Sequence, residues 1–278
     1  MRSIPTVPDI SSAPEGFFDS GHFWIQELVD GVRLRFEMKP SGLLRFGDRD
    51  GIIDTEDPPP HLQAAVTRVR ERFDRDALRN AVDDVDRYTF VGTAPVGGQM
   101  GYQWETVPAV LGTDILDAVE DELLAPDATH RIYDELGLDP VHVFEREVPA
   151  RRISSDSYTI PESHYADEPA AGVRLRKKGG PTVKGSRTLD ADGATTDGPL
   201  EDRIDDRLST EFLRDALRQS GRDPAGMSPA EVAEPVTRRL AQVEFHTFED
   251  VLTDQPARFR KAVADVLTDR WSERFERG

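Results

Sequence analysis

Along residues 23 to 39 apolar and polar positions alternate. Val32, Leu34, Phe36 and Met38 fall on one face, and Arg33, Arg35, Glu37 and Lys39 on the other. A period of two predicts a half-buried strand. Pro40-Ser41-Gly42 supplies turn chemistry, so residues 43 to 47 read as the return strand of a hairpin, with Arg45 and Arg49 on it or just beyond it. The run Pro58-Pro59-Pro60 breaks the pattern, and Leu62, Val66, Val69 and Phe73 then recur at helical spacing. Residues 88 to 93 and 107 to 115 read as further strands, joined by a loop carrying Gly97, Gly98 and Gly101. A helix around 129 to 136 ends at Gly137, a suitable C′ glycine, and residues 141 to 144 read as another strand. Val173 and Leu175, alternating with Arg174 and Arg176, mark a late strand. Together these elements predict an α+β domain.

The grammar then changes. Residues 190 to 198 are rich in Asp, Gly, Ala and Thr without an apolar period, which is linker composition. Beyond them Ile204, Leu208, Phe212 and Leu217 form one helical stripe, and Phe259, Val263, Val266, Leu267, Trp271 and Phe275 another. Ser228-Pro229-Ala230-Glu231 is a capping box with proline at the first helical position, opening a helix in which Pro235 stands ready to introduce a kink. The expected organisation is a domain over 1–190, a linker over 191–200 and a small helical module over 201–278.

Composition adjusts this picture in three ways. With 278 residues, 37% of them hydrophobic, the chain can fill a sizeable core. Acidic residues outnumber basic ones 53 to 35, for a net charge of -18, and only Lys39, Lys177, Lys178, Lys184 and Lys261 are lysines. An acidic excess spread along the chain is the pattern of salt adaptation; at molar salt the Debye length is about 3 Å, so acidity does not exclude an anionic ligand. There are no cysteines, which excludes disulfides, thiol catalysis and cysteine-based metal sites. No signal-like segment and no apolar run near the roughly 20 residues of a membrane span is visible, so no membrane association is expected and the cytoplasm is the default address. The six histidines show no metal-ligand spacing, and Gly97, Gly98 and Gly101 lack the strand–glycine–helix frame of a phosphate loop.

Against this acidic background the run Arg174, Arg176, Lys177, Lys178, Lys184 and Arg187 contains no acid between its cations, apart from polar and apolar spacers, and holds three of the five lysines. Converging basic groups of this kind are what phosphate recognition requires. Arg33, Arg35 and Arg49 are further candidates; paired with local carboxylates they would instead form an ordinary exposed sheet face.

The segment Trp24-Ile25-Gln26-Glu27-Leu28-Val29-Asp30-Gly31-Val32-Arg33 resembles the signature strand of covalent nucleotidyltransferases, Glu-Lys-x-Asp-Gly. Later segments follow in the order of the RNA ligase 2-like branch: Arg49-Asp50-Gly51, Phe90-Val91-Gly92-Thr93, the stretch from Tyr102 to Ile115, Ala171-Gly172-Val173-Arg174-Leu175-Arg176, and Val183-Lys184. The resemblance covers about residues 20 to 190. It implies a ligase adenylation fold with antiparallel sheets and flanking helices, in which a lysine amine attacks the α-phosphate of ATP. Leu28 occupies that lysine's position, and a hydrocarbon side chain cannot be a nucleophile. Thr93 and Ala171 stand where the family places glutamates, the second of which supports the catalytic metal. Lys39 is eleven positions from Leu28, too far along the strand to substitute.

The resemblance therefore implies no catalytic residue and no metal ligand here, but a nucleotide or phosphate site built from Glu27, Asp30, Gly31, Arg33, Arg49, Arg176, Lys177, Lys178 and Lys184. ATP or another nucleotide is the implied ligand, magnesium is implied for the family although its ligand position holds Ala171, and RNA or DNA is the implied macromolecular partner. Two alternatives stay open. One is an active ligase or nucleotidyltransferase that uses a displaced residue, with Asp167 or Glu168 replacing the lost metal ligand, or that acts on pre-activated strands. The other is a non-catalytic module that binds a protein partner through its C-terminal helices.

Overall fold

The computed structural model describes residues 4, 6–153, 159–178, 180–189, 198–219 and 227–275, with side chains to 269. The chain divides into two compact units. The first comprises Met1–Asp57, Ala65–Pro95 and Met100–Asp190, and the second Pro58–Ala64, Val96–Gln99 and Ala191–Gly278.

The first unit is α+β. Its strands are β1 (His22–Leu28), β2 (Gly31–Met38), β3 (Leu44–Gly47), β4 (Tyr88–Pro95), β5 (Leu111–Asp117), β6 (Glu122–Leu123), β7 (Val143–Pro149), β8 (Gly172–Lys177) and β9 (Thr182–Ser186). They form two antiparallel sheets, ordered β7-β1-β8-β9 and β3-β2-β4-β5-β6. Its helices are α1 (Pro60–Arg72), of which the part from Ala65 belongs here, α2 (Arg75–Ala81) and α3 (Pro126–Glu135). As the sequence pattern predicts, Gly137 closes α3 with φ of 76°.

The single strand expected over 23 to 39 is two strands in different sheets. The strand is interrupted at Val29-Asp30, where the Asp30 N–H donates to the Tyr102 hydroxyl at 2.7 Å. The strand expected from 107 starts at Leu111, because Gln103 O collects the N–H groups of Thr106 and Val107, each at 2.9 Å, in a turn.

Alternation explains what each sheet face does. Phe23, Ile25, Val173, Leu175 and Val183, one face of the first sheet, pack with Phe17, Val148 and Ile153 in one core cluster. On the second sheet Phe36 stacks on Phe90 at 4.9 Å with Phe73 against both, a second apolar layer. The opposite faces carry Arg174 and Arg176 on β8 and Arg33 and Arg35 on β2. These faces are covered as well: Arg35, Arg174 and Arg176 are buried. The half-buried strand read from the sequence over 23 to 39 is therefore covered on both sides over most of β1 and β2, one side apolar and the other polar.

The second unit is helical: α4 (Leu200–Arg207), α5 (Thr210–Gln219), α6 (Pro229–Val243), α7 (Phe245–Asp254) and α8 (Pro256–Phe275). The first expected stripe is shared by α4 and α5, because the Ser209 hydroxyl accepts from the Phe212 N–H at 3.1 Å and starts a new helix. The capping box forms, with the Ser228 N–H donating to Glu231 Oε2 at 2.8 Å, and α6 runs through Pro235. Phe259, Val263, Val266 and Leu267 are buried, while the Trp271 and Phe275 side chains and residues 191–197 of the linker expected over 191–200 lie outside the described residues. No described helix is long and apolar enough to cross a membrane.

Candidate functional site

A cavity of about 630 Å³ opens between the polar faces of the two sheets of the first unit, a volume in the range of small-molecule sites. Its walls come from the end of β1, from β2, β4 and β5, and from β8, β9 and the residues that follow. Among the described residues six cationic side chains line it (Arg33, Arg35, Arg49, Arg174, Lys184 and Arg187) against three carboxylates (Glu27, Asp30 and Asp114). In a chain of net charge -18 this is a local inversion of sign.

Backbone carbonyls and one buried acid hold the cations. Arg35 donates through Nε to Asp48 O at 2.8 Å and through Nη2 to Gly51 O at 3.4 Å, which ties β2 to the loop that carries Arg49. Burial makes the Arg33 guanidinium hold its proton less tightly than usual; Asp114 opposes this, and Arg174, Arg35 and Arg49 add to it. These groups thus feel one another's charge. On β5, Asp114 Oδ2 accepts from Arg174 at 2.8 Å, and Oδ1 lies 3.4 Å from Arg176. Burial alone would raise the Asp114 carboxyl, yet the two guanidiniums hold it below its ordinary value. Arg174 Nη1 is buried and has no hydrogen-bond partner.

The floor is formed around the β1–β2 junction. Leu28 pairs with Gly172 in the β1–β8 ladder and lines the cavity beside the buried Ala171. Glycine at 172 is a requirement of this packing, because a Cβ there would lie 2.2 Å from Gly185 O and 3.0 Å from Leu28 Cδ2. Gly31 is similarly constrained, with Ala94 O only 2.4 Å from the site of a Cβ. Glu27, 1% exposed, accepts from the Ser163 hydroxyl at 2.5 Å and from the His164 N–H at 3.0 Å. Burial raises its carboxyl above the usual value, and those two donors only partly oppose this. Thr93 pairs with Arg33 across β2–β4 and also faces the cavity.

Of the residues singled out in the sequence, the structure brings together Glu27, Leu28, Asp30, Gly31, Arg33, Arg35, Arg49, Thr93, Ala171, Arg174, Lys184 and Arg187. Three others do not line this cavity. Arg176 shares its face of β8 with Arg174 but sits one pleat further along, where its guanidinium donates to Thr113 O at 2.9 Å and Leu124 O at 2.8 Å. Lys177 points to the opposite face and lies over the Phe17 and Phe23 rings at 5.0 and 5.4 Å. Lys178, past the strand, pairs with Asp127 at 2.7 Å. Glu168, expected as a replacement metal ligand, accepts from the Gly101 N–H at 2.8 Å and from Arg187 at 2.5 Å. Asp167 accepts from Gln103 at 2.9 Å.

Asp114 was not legible as a site residue. Its only signal was a carboxylate inside the apolar strand Leu111–Asp117, an arrangement that demands a buried cation.

No protein-family model and no curated protein matches this sequence. Solved structures do. An RNA ligase from Naegleria gruberi, a single-residue mutant with ATP and Mn, is 12% identical with a TM-score of 0.51 over 67% of this chain and 56% of that one. A second mutant of that ligase, without ligand, is 12% identical with a TM-score of 0.50 over 66% of this chain and 55% of that one. An archaeal ATP-dependent RNA ligase is 15% identical with a TM-score of 0.49 over 97% of this chain and 65% of that one. The chain thus spans a little over half the length of the Naegleria ligase. The likeness shows the fold: an RNA ligase-like nucleotidyltransferase fold with two antiparallel sheets, accompanied by C-terminal helices.

Proposed function

We propose that this chain is a ligase-family protein that binds a nucleotide, or the phosphate-bearing end of an RNA, in the arginine-lined cavity without forming a lysyl–AMP intermediate. One observation carries the reading: Leu28, a side chain without a lone pair, lines a cavity whose other walls present Arg33, Arg49, Arg174 and Lys184. Nucleophilic catalysis needs an activated nucleophile at the reacting phosphorus, and a leucine supplies none. Phosphate binding needs only converging cations and donors, which these side chains provide. The Naegleria ligase with ATP and Mn has the same fold, which supports a nucleotide as the first ligand to try.

Incubation of the whole chain with α-labelled ATP and magnesium or manganese, followed by acid precipitation, is expected to leave no label on the protein. Equilibrium dialysis of the same mixture is expected to show ATP retained. A stable adduct mapped to any of the five lysines, or no retention of ATP, of other nucleotides or of a 5′-phosphorylated RNA, overturns the proposal.

A further inference from the structure

We infer that this cavity holds phosphate oxygens without a divalent cation, its own guanidinium groups supplying the positive charge, whereas the Naegleria ligase structure holds Mn together with ATP. The inference rests on the phosphate-binding reading above and adds to it the way in which the ligand's charge is met.

The donor set does not suit a metal. A hard divalent cation at a phosphate site takes about six oxygen ligands, of which one or two are usually protein carboxylates and the rest water and phosphate. Both oxygens of Glu27 are used by the Ser163 hydroxyl and the His164 N–H. Asp114 is held between Arg174 at 2.8 Å and Arg176 at 3.4 Å, and Glu168 between the Gly101 N–H and Arg187. The Ala171 methyl contributes no oxygen, and Asp30 adds at most one carboxylate. Among the described residues no group of three or more His, Asp and Glu is placed to hold a metal ion. A dication would also enter a space where Arg33 already feels Arg35, Arg49 and Arg174.

The same walls suit an anion. Arg174 is 6% exposed, and its Nη1 has no partner. A buried donor left unmade is costly, and the complement of a guanidinium N–H is an oxyanion. Among the described residues neither Arg49 nor the Lys184 ammonium makes an ion pair within 4 Å, the Asp9 carboxylate feeling the Lys184 charge only from further away, so both can meet a phosphate. A guanidinium presents its donors in a rigid planar fork that matches phosphate geometry.

The test is titration of the whole chain with ATP and with inorganic tripolyphosphate in three buffers: chelator, magnesium and manganese. The expected dissociation constants in chelator are equal to those in either metal within about twofold, or tighter, because a metal masks the phosphate charge. Titration with manganese alone is expected to show no saturable binding. Arg49→Ala, at an exposed position, is expected to weaken tripolyphosphate about fivefold without changing the melting temperature. Arg174→Lys keeps the charge near Asp114 but loses the fork, and is expected to weaken it further; its fold is checked by circular dichroism. Tightening of either ligand by about tenfold or more on adding metal overturns the inference while leaving the binding proposal intact. No binding of any phosphate ligand in any buffer overturns the binding proposal itself, and this inference with it.

Discussion

Replacing Asp114 with asparagine removes one charge and almost no volume, so it isolates what the carboxylate contributes. Asp114 is 4% exposed, and the guanidiniums beside it, Arg174 and Arg176, are 6% and 2% exposed. Without the carboxylate two like charges remain buried two residues apart on one face of β8, a separation of about 7 Å. Removing one partner of a buried ion pair costs about 3–5 kcal/mol. The amide oxygen still accepts a hydrogen bond from Arg174, which returns about 1 kcal/mol. The expected net loss is about 3 kcal/mol, a large share of the roughly 5–15 kcal/mol that holds a domain together. Urea is the denaturant of choice, since an ionic one would screen the charges in question. With a slope of about 2 kcal/mol per molar, the midpoint should fall by about 1.5 M. The pH dependence carries a second signature. A carboxyl held below its ordinary value contributes stability that is present above its unfolded pKa and is lost as pH falls through the folded value. Wild type should therefore lose this increment in acid below about pH 4, and the asparagine variant should have no such increment to lose. A loss below about 1 kcal/mol, or equally steep acid limbs in both proteins, would refute the compensation argument.

Three further outcomes are expected. Ser163→Ala removes a donor to Glu27, whose carboxyl burial already raises; a raised carboxyl contributes stability below its unfolded pKa and loses it as pH rises. The cost of this substitution should grow from pH 4 to pH 7 in thermal melts, and a pH-independent cost would contradict the assignment. Gly112→Ala would place a Cβ 2.4 Å from Tyr133 Cδ1, on a buried ring whose hydroxyl is fixed to Val91 O at 2.8 Å. A loss of about 1–3 kcal/mol is expected in denaturant titration, and an unchanged midpoint would show that the ring yields. Leu28→Lys alone should give no acid-stable adduct with labelled ATP, and Leu28→Lys with Ala171→Glu should give one; labelling of the single variant would show that the missing carboxylate is dispensable.

How much of this was legible depended on whether the signal was local. The β2–β3 hairpin, α1, the glycine that ends α3 and the capping box of α6 all rest on spacing or on a turn residue within a few positions, and each appears where the pattern put it. The break between β1 and β2 was hidden because its cause, the Tyr102 hydroxyl, lies 72 residues away. Arg174 and Arg176 illustrate the same limit within the site. Both occupy one face of one strand, and the alternation that pairs them cannot say which is covered by β5 and its neighbours and which meets the cavity. Arg35 and Arg187 were legible as cations and Asp114 was not, but all three are fixed in the cavity wall through contacts with Asp48, Glu168 and Arg174, which only the folded chain brings close.

A cavity with Leu28 in its wall can hold together without a ligand, and here the reason can be located. Gly172 holds β8 and β9 in close approach beneath Leu28, the Arg35 guanidinium ties β2 to the Asp48–Gly51 loop, and Asp114 with Arg174 and Arg176 joins the two sheets. Each contact stabilises the unit whether or not a ligand binds, so the presence of the cavity is by itself no argument for a ligand. What distinguishes the readings is the part of the cationic set that the fold does not consume. Arg49 and Lys184 make no ion pair among the described residues, and Arg174 Nη1 is an unmet buried donor. A scaffold maintained only for its helical partner unit would gain from losing these charges, since clustered guanidiniums repel and a buried orphan donor destabilises. Arg49→Ala therefore separates scaffold from binding site: a ligand-free scaffold predicts a variant as stable as the parent or more so with no binding to lose, whereas a phosphate site predicts unchanged stability and a weaker ligand.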